Sequence, residues 1–332
     1  MNLDATRQSL SVTLVSFVAL FTLFVARHLL APAPIETVPP TAMPLGAQVD
    51  RMTTAWPDLL RLAAAFCLIF LNAFTLTRTV TRNMILGQRT YLPALIYLMI
   101  ACGFYFPLDS LDIYIAGYLL IRGCELLIAG FRRQESFNAL FTGSFCIGIA
   151  PLLYAPAALY TLLVPVAISV FRRNAREAIA AVAGLALPTL LCSYVVWGTG
   201  QPAGEVIKLL WQELSTPSAV PVFIPAIGIP RIVFAALVIL TTCLSLGSFF
   251  AARAGMRTRP VRAYLLFCWM LLLAAATFLV PGRTILAYGL AAIPLAVIIP
   301  TFLVRHEGWI PELLFLLLAA GIVAANLLPL TG

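Results

Sequence analysis

Residues 67–133 read CLIFLNAFTLTRTVTRNMILGQRTYLPALIYLMIACGFYFPLDSLDIYIAGYLLIRGCELLIAGFRR. An apolar run from Cys67 ends in Arg78, Arg82 and Arg89, a second leads to Asp109 and Asp112, and a third returns to Arg132 and Arg133. Each run approaches the roughly 20 residues that cross a hydrocarbon core, and basic residues gathered at alternate ends fix the sidedness of such spans. The stretch predicts a helix running inward, an arginine-rich inner turn, a helix running out to an acidic tip, and a helix returning. That placement sets the side of every other loop.

Composition agrees with it. The chain of 332 residues is 62% hydrophobic and 10% charged, with a mean hydropathy of +1.00. A soluble globule carries about 25% charged residues, so the solvent of this outer surface is lipid. The formal charge of +8 sits in short loops between apolar runs, which reads as topology with attraction to anionic headgroups, not as a nucleic-acid surface. The seven cysteines lie in apolar runs with no Cys-x-x-Cys pair, so they read as small buried apolar residues and not as a disulfide framework or metal site.

Upstream, residues 9–30 read as a retained first span with Arg7 inside, since the run is longer than a signal-peptide core and lacks a small-x-small cleavage site. The loop 31–57 is proline-rich and acidic and faces outward, with a short interfacial helix over 48–56. The second span covers 58–77. Downstream, two shorter runs, 137–153 and 156–171, meet at an uncharged Tyr154-Ala-Pro turn, and a seventh span follows over 178–197. The outer segment 198–227 contains an amphipathic stretch, 205–214, whose Val206, Leu209, Leu210 and Glu213 share one side. Four further spans, among them 229–251, 285–304 and, last, 310–328, complete the count.

The result is one all-α membrane domain over 1–332: a polytopic bundle of about eleven spans, amino terminus in and carboxyl terminus out, with a short amphipathic outer helix. By this assignment fourteen of the 21 Lys+Arg lie inside and seven of the 13 Asp+Glu lie outside. The implied location is a bacterial inner membrane, with membrane lipids as the surrounding partners.

Few residues carry chemistry. Arg122 and Glu125, one turn apart inside the fourth span, are expected to form an intramembrane ion pair, because a lone charge at that depth costs several kcal/mol. Asp109 and Asp112 at the outer tip are either a solvated helix cap or, with Glu36 or Asp50 of the first outer loop, a general-base or cation site. Arg231 and Arg283, at outer helix ends, are candidates to neutralise a lipid phosphate. His28 and His306 fall on opposite faces, so no histidine metal centre is expected, and cofactors stay open. Pro165, Pro188 and Pro294 are expected to kink helices, while Gly143, Gly148, Gly184 and Gly289 allow close packing.

Asn72-Ala-Phe, Arg89-Thr-Tyr-Leu-Pro-Ala, Phe137-Asn-Ala and Tyr154-Ala-Pro together resemble a functionally uncharacterised family of bacterial polytopic membrane proteins across residues 60–200. More loosely, an acidic first outer loop, an Asp-x-x-Asp second loop and a flat outer helix are similar to the layout of GT-C type glycosyltransferases that use polyprenyl-phosphate sugars. That resemblance implies Glu36 or Asp50 as the catalytic acid with Asp109 and Asp112 assisting. The chain departs from it in lacking an acidic dyad in the first loop and a soluble carboxyl-terminal domain. Three functions are thus in view: a scaffold or subunit of an envelope assembly with a protein partner, a GT-C-like transferase acting on a polyprenyl-phosphate carrier, and a transporter or lipid flippase.

Overall fold

The computed structural model describes residues 10–30, 42–104, 111–130, 137–216, 229–280, 287–306 and 308–327; among them there is no strand. In chain order the helices are α1 (Leu10–Leu30), α2 (Pro44–Thr54), α3 (Asp58–Arg82), α4 (Leu92–Phe104), α5 (Leu111–Gly130) and α6 (Phe137–Leu153). A 3₁₀ helix, Ala155–Leu162, then runs into α7 (Leu163–Phe171), followed by α8 (Ala175–Gly198), α9 (Glu205–Ser215) and α10 (Ile229–Ala252). The last four are α11 (Thr258–Thr277), α12 (Ala287–Ile298), α13 (Pro300–Arg305) and α14 (Trp309–Leu327).

Six of these stretches are long and apolar enough to cross a membrane: 58–82, 111–130, 175–198, 230–255, 258–277 and 287–305. Five shorter apolar helices accompany them. The bundle turns large apolar side chains outward along whole helices, as with Leu190, Leu191, Tyr194 and Val195 of α8, the reverse of a water-soluble surface.

Glycine sets the closest helix contacts. A Cβ on Gly148 of α6 would lie 2.4 Å from the Leu185 carbonyl oxygen of α8, and one on Gly184 of α8 would lie 2.4 Å from the Phe141 carbonyl oxygen of α6. Gly123 and Gly143 bring α5 against α6 in the same manner. Without a hydrophobic driving force between helices in lipid, such backbone approach supplies much of the packing energy. Gly289 differs from its expected packing role: a Cβ there meets nothing within 4 Å.

A second junction orients the bundle. The fully buried ring of Phe234, near the start of α10, fills the space left by Gly103 at the end of α4 and by Gly321 late in α14. These three positions therefore lie at one end, which is also where α5 begins. Arg78 and Arg82 close α3 at the opposite end, and Arg253 follows α10 there.

Several boundaries move from the sequence reading. Pro44 opens α2 at the first helical position, where its missing N–H costs nothing, so this helix begins four residues before Gln48. The Tyr154-Ala-Pro turn opens an eight-residue 3₁₀ helix where α-helix was expected. Within the span over 285–304 the helix loses one ladder bond, because Pro300 has no N–H for the Ala296 carbonyl, while Ile299 keeps helical angles and bonds to the Leu295 carbonyl; beside it, Ser245 Oγ of α10 donates to the Ile299 carbonyl at 2.9 Å. Cys102 and Cys124 are buried, but Cys67 and Cys243 face outward, which lipid tolerates.

Candidate functional site

At the end where α5 begins, one carboxylate is buried and two others, from remote segments, act on it electrostatically. Asp112 lies in the first turn of α5, where aligned backbone amides favour an acid, and the N–H groups of Ile113 and of Asp112 itself donate to its carboxyl group. It is only 4% exposed, and its Oδ1 has no hydrogen-bond partner. Asp50 of α2 and Glu213 of α9 are close enough to act on it electrostatically.

Local structure explains this arrangement. Arg61, in the first turns of α3, donates through Nε to the Thr53 carbonyl at 2.9 Å and through Nη2 to the Thr54 carbonyl at 2.5 Å. It thereby satisfies the exposed carbonyls at the end of α2 and fixes the corner that carries Asp50. α9 packs with Val206 buried and Leu209, Leu210 and Glu213 half-buried, leaving Ile207 and Trp211 outward. Glu213 is on the packed side and accepts from the backbone N–H of Ala42, just before α2.

Family models, curated proteins and solved structures give no match to this chain. Its chemistry therefore rests on geometry. Among the described residues, no three His, Cys, Asp or Glu side chains are arranged to hold a metal ion. What the cluster offers is a proton acceptor: a buried carboxylate whose remaining oxygen awaits a donor, which the hydroxyl of a bound substrate would supply. A solvated helix cap has no need to be buried to this degree.

About 20 Å further along α5, at 1.5 Å per residue, stands a second charged group. Glu125 is 2% exposed and accepts from Arg122 Nη1, one turn earlier, while Arg82 Nη1 at the end of α3 lies 3.5 Å from its other oxygen. The sequence reading paired Arg122 with Glu125 and assigned Arg82 to topology alone. Arg82 is the missed member, and it ties α3 to α5. Between the two sites Asn72 Nδ2 donates to the Tyr114 carbonyl at 3.0 Å and the Tyr97 hydroxyl at 3.3 Å, joining α3, α4 and α5.

The triad changes what mutation should do. Arg122→Leu alone leaves Arg82 on Glu125 and is expected to cost about 1.5 kcal/mol, the worth of one hydrogen bond to a charged group. Removing both arginines strands a buried carboxylate and should cost ~3–5 kcal/mol, more than the two single losses combined. A double-mutant cycle on unfolding in mild detergent measures this, and additive single effects would contradict the shared contact.

Of the other sequence candidates, Arg231 sits half-buried in the first turn of α10, at the acidic end. Glu36, Asp109 and Arg283 lie outside the described residues. Glu213 was not among the candidates, although its alignment with Val206, Leu209 and Leu210 already put it on the packed side of α9.

Proposed function

We propose that the chain is an eleven-span protein of the bacterial inner membrane, amino terminus in and carboxyl terminus out, that catalyses GT-C-like glycosyl transfer from a polyprenyl-phosphate sugar at its outer face. The observation that carries this reading is Asp112 itself, buried with one carboxylate oxygen without a partner and under the electrostatic influence of Asp50 and Glu213. A scaffold gains nothing from burying an acid among acids, a costly arrangement that a reacting group justifies. For that reason the transferase reading stands above the envelope-scaffold and transporter readings.

In this scheme Asp112 takes the proton of the acceptor hydroxyl as its oxygen bonds to the sugar's anomeric carbon. The bond from that carbon to the phosphate oxygen breaks, and polyprenyl phosphate leaves with the electron pair. Arg231, in the first turn of α10 at this end, would neutralise the departing phosphate. Asp50 and Glu213 position the acceptor through its remaining hydroxyls. The sidedness rests on the cation asymmetry, with fourteen of 21 Lys+Arg assigned to the inner loops.

The test presents membrane vesicles containing the overexpressed chain with radiolabelled polyprenyl-phosphate sugars. Transfer to an endogenous acceptor that depends on Asp112 supports the reading, and no transfer by the wild-type chain overturns it.

A further inference from the structure

The opposite end of the bundle carries a cavity that this reading does not use. It measures about 700 Å³ and lies between the last two turns of α3 and the turn that leads to α4. Arg78 and Arg82, one helical turn apart, line it together with Arg89 from the turn. Thr77 lines it as well, is 3% exposed, and has an Oγ1 with no hydrogen-bond partner. Phe74 and Tyr91, ring centroids 6.3 Å apart, form an apolar side.

The turn holds these groups in a set geometry. Met84 adopts φ 51° and Gly87 φ 81°, and the N–H groups of Met84, Ile85 and Gly87 donate back to the Thr81, Val80 and Met84 carbonyls. Ile85 and Leu86 are buried beneath it, so Arg89 is carried on an anchored loop. Arg82 is shared with Glu125. The Arg78 and Arg89 side chains are exposed and have no ion pair among the described residues.

Orientation of a span needs cations near one end, but it does not need three guanidinium groups around one cavity that is also lined by a threonine whose buried hydroxyl lacks a partner. Guanidinium forks and a hydroxyl donor are the groups that recognise phosphate oxygens. The volume falls within the range of small-ligand sites, and an apolar side suits the acyl chains of a lipid.

We propose that this cavity binds a phosphate group, with Arg78 and Arg89 clamping its oxygens, Thr77 supplying a buried hydroxyl, and Arg82 linking the bound anion to Glu125. The source is either the headgroup of an anionic lipid in the leaflet at this end or a soluble phosphate. The site is independent of the acidic cluster and of any transferase activity.

The test uses the full chain in lipid nanodiscs of phosphatidylcholine. Inorganic phosphate and, separately, phosphatidic acid are titrated while thermal stability and bound mass are followed. The wild-type chain is expected to gain thermal stability and bound mass with phosphatidic acid, with inorganic phosphate, or with both. A response to the lipid alone assigns a headgroup, and a response to inorganic phosphate assigns a soluble source. The Arg78→Gln/Arg89→Gln double variant, whose altered side chains are exposed, is expected to weaken the response at least tenfold. Thr77→Val should weaken it without lowering the unliganded melting temperature, since it removes a buried hydroxyl that has no partner. The Arg176→Gln/Arg257→Gln variant, altered at exposed arginines that do not line this cavity, should respond as wild type. The proposal is overturned if neither probe binds, if the Arg78/Arg89 variant binds as tightly as wild type, or if the Arg176/Arg257 variant loses binding to the same extent.

Discussion

Asp112→Asn is expected to lower sugar transfer by about 10²–10⁴-fold, the usual contribution of a positioned general base, while leaving the chain folded. The amide keeps the shape of the carboxyl group but cannot accept the acceptor's proton. A neutral amide also removes the repulsion that Asp50 and Glu213 exert on a charged Asp112. The variant should therefore melt no lower than wild type and is expected to melt higher. Loss of activity with gain of stability is the signature of a reacting group held at a cost. A purely structural first-turn acid would give the opposite pair of results: transfer retained and the melting temperature lowered.

Gly184→Leu and Gly148→Leu should be the most damaging single changes to the fold. In each case the first added carbon already lies 2.4 Å from a backbone carbonyl oxygen of the neighbouring helix. Backbone cannot rotate aside as a side-chain tip can, so α6 and α8 must separate along the contact. The expected loss is ~3 kcal/mol or more, at the upper end of overpacking, and the melting temperature in mild detergent should fall by on the order of 5 °C. Gly247→Leu is the control, because a Cβ there meets nothing within 4 Å, and it should stay within about 0.5 kcal/mol of wild type. Equal losses at Gly184 and Gly247 would show that α6 and α8 are not in backbone contact.

The helices were legible because apolar runs bounded by charge need no tertiary information. α10, at Ile229–Ala252, and α14, at Trp309–Leu327, lie within two residues of their sequence-read spans. Breaks that depend on a neighbour were not legible. Proline at position 300 warns of an interruption, but the chain in isolation does not show Ser245 reaching the buried Ile299 carbonyl. The acidic site was half legible. Asp112 and Asp50 were recognisable as acids on outer segments, whereas Glu213 required the orientation of α9 against the bundle. Arg82 was masked by its second role, because a cation at the end of a span reads as an orientation signal before it reads as a partner. Thr77 gave no signal at all, since an isolated threonine in an apolar helix becomes informative only once its hydroxyl is seen buried without a partner.

Glycosyl transfer at the outer face requires the acidic end to face outward and the arginine end inward, and that orientation is open to direct measurement. The seven native cysteines are replaced by alanine, and single cysteines are introduced as Met52→Cys on α2, where the side chain is 71% exposed, or as Ala254→Cys in the exposed turn between α10 and α11. Intact spheroplasts are then treated with a membrane-impermeant maleimide. The account predicts that Met52→Cys is labelled at once and Ala254→Cys only after the membrane is permeabilised. Labelling of Ala254→Cys in intact spheroplasts with Met52→Cys protected, or labelling of both, would contradict it.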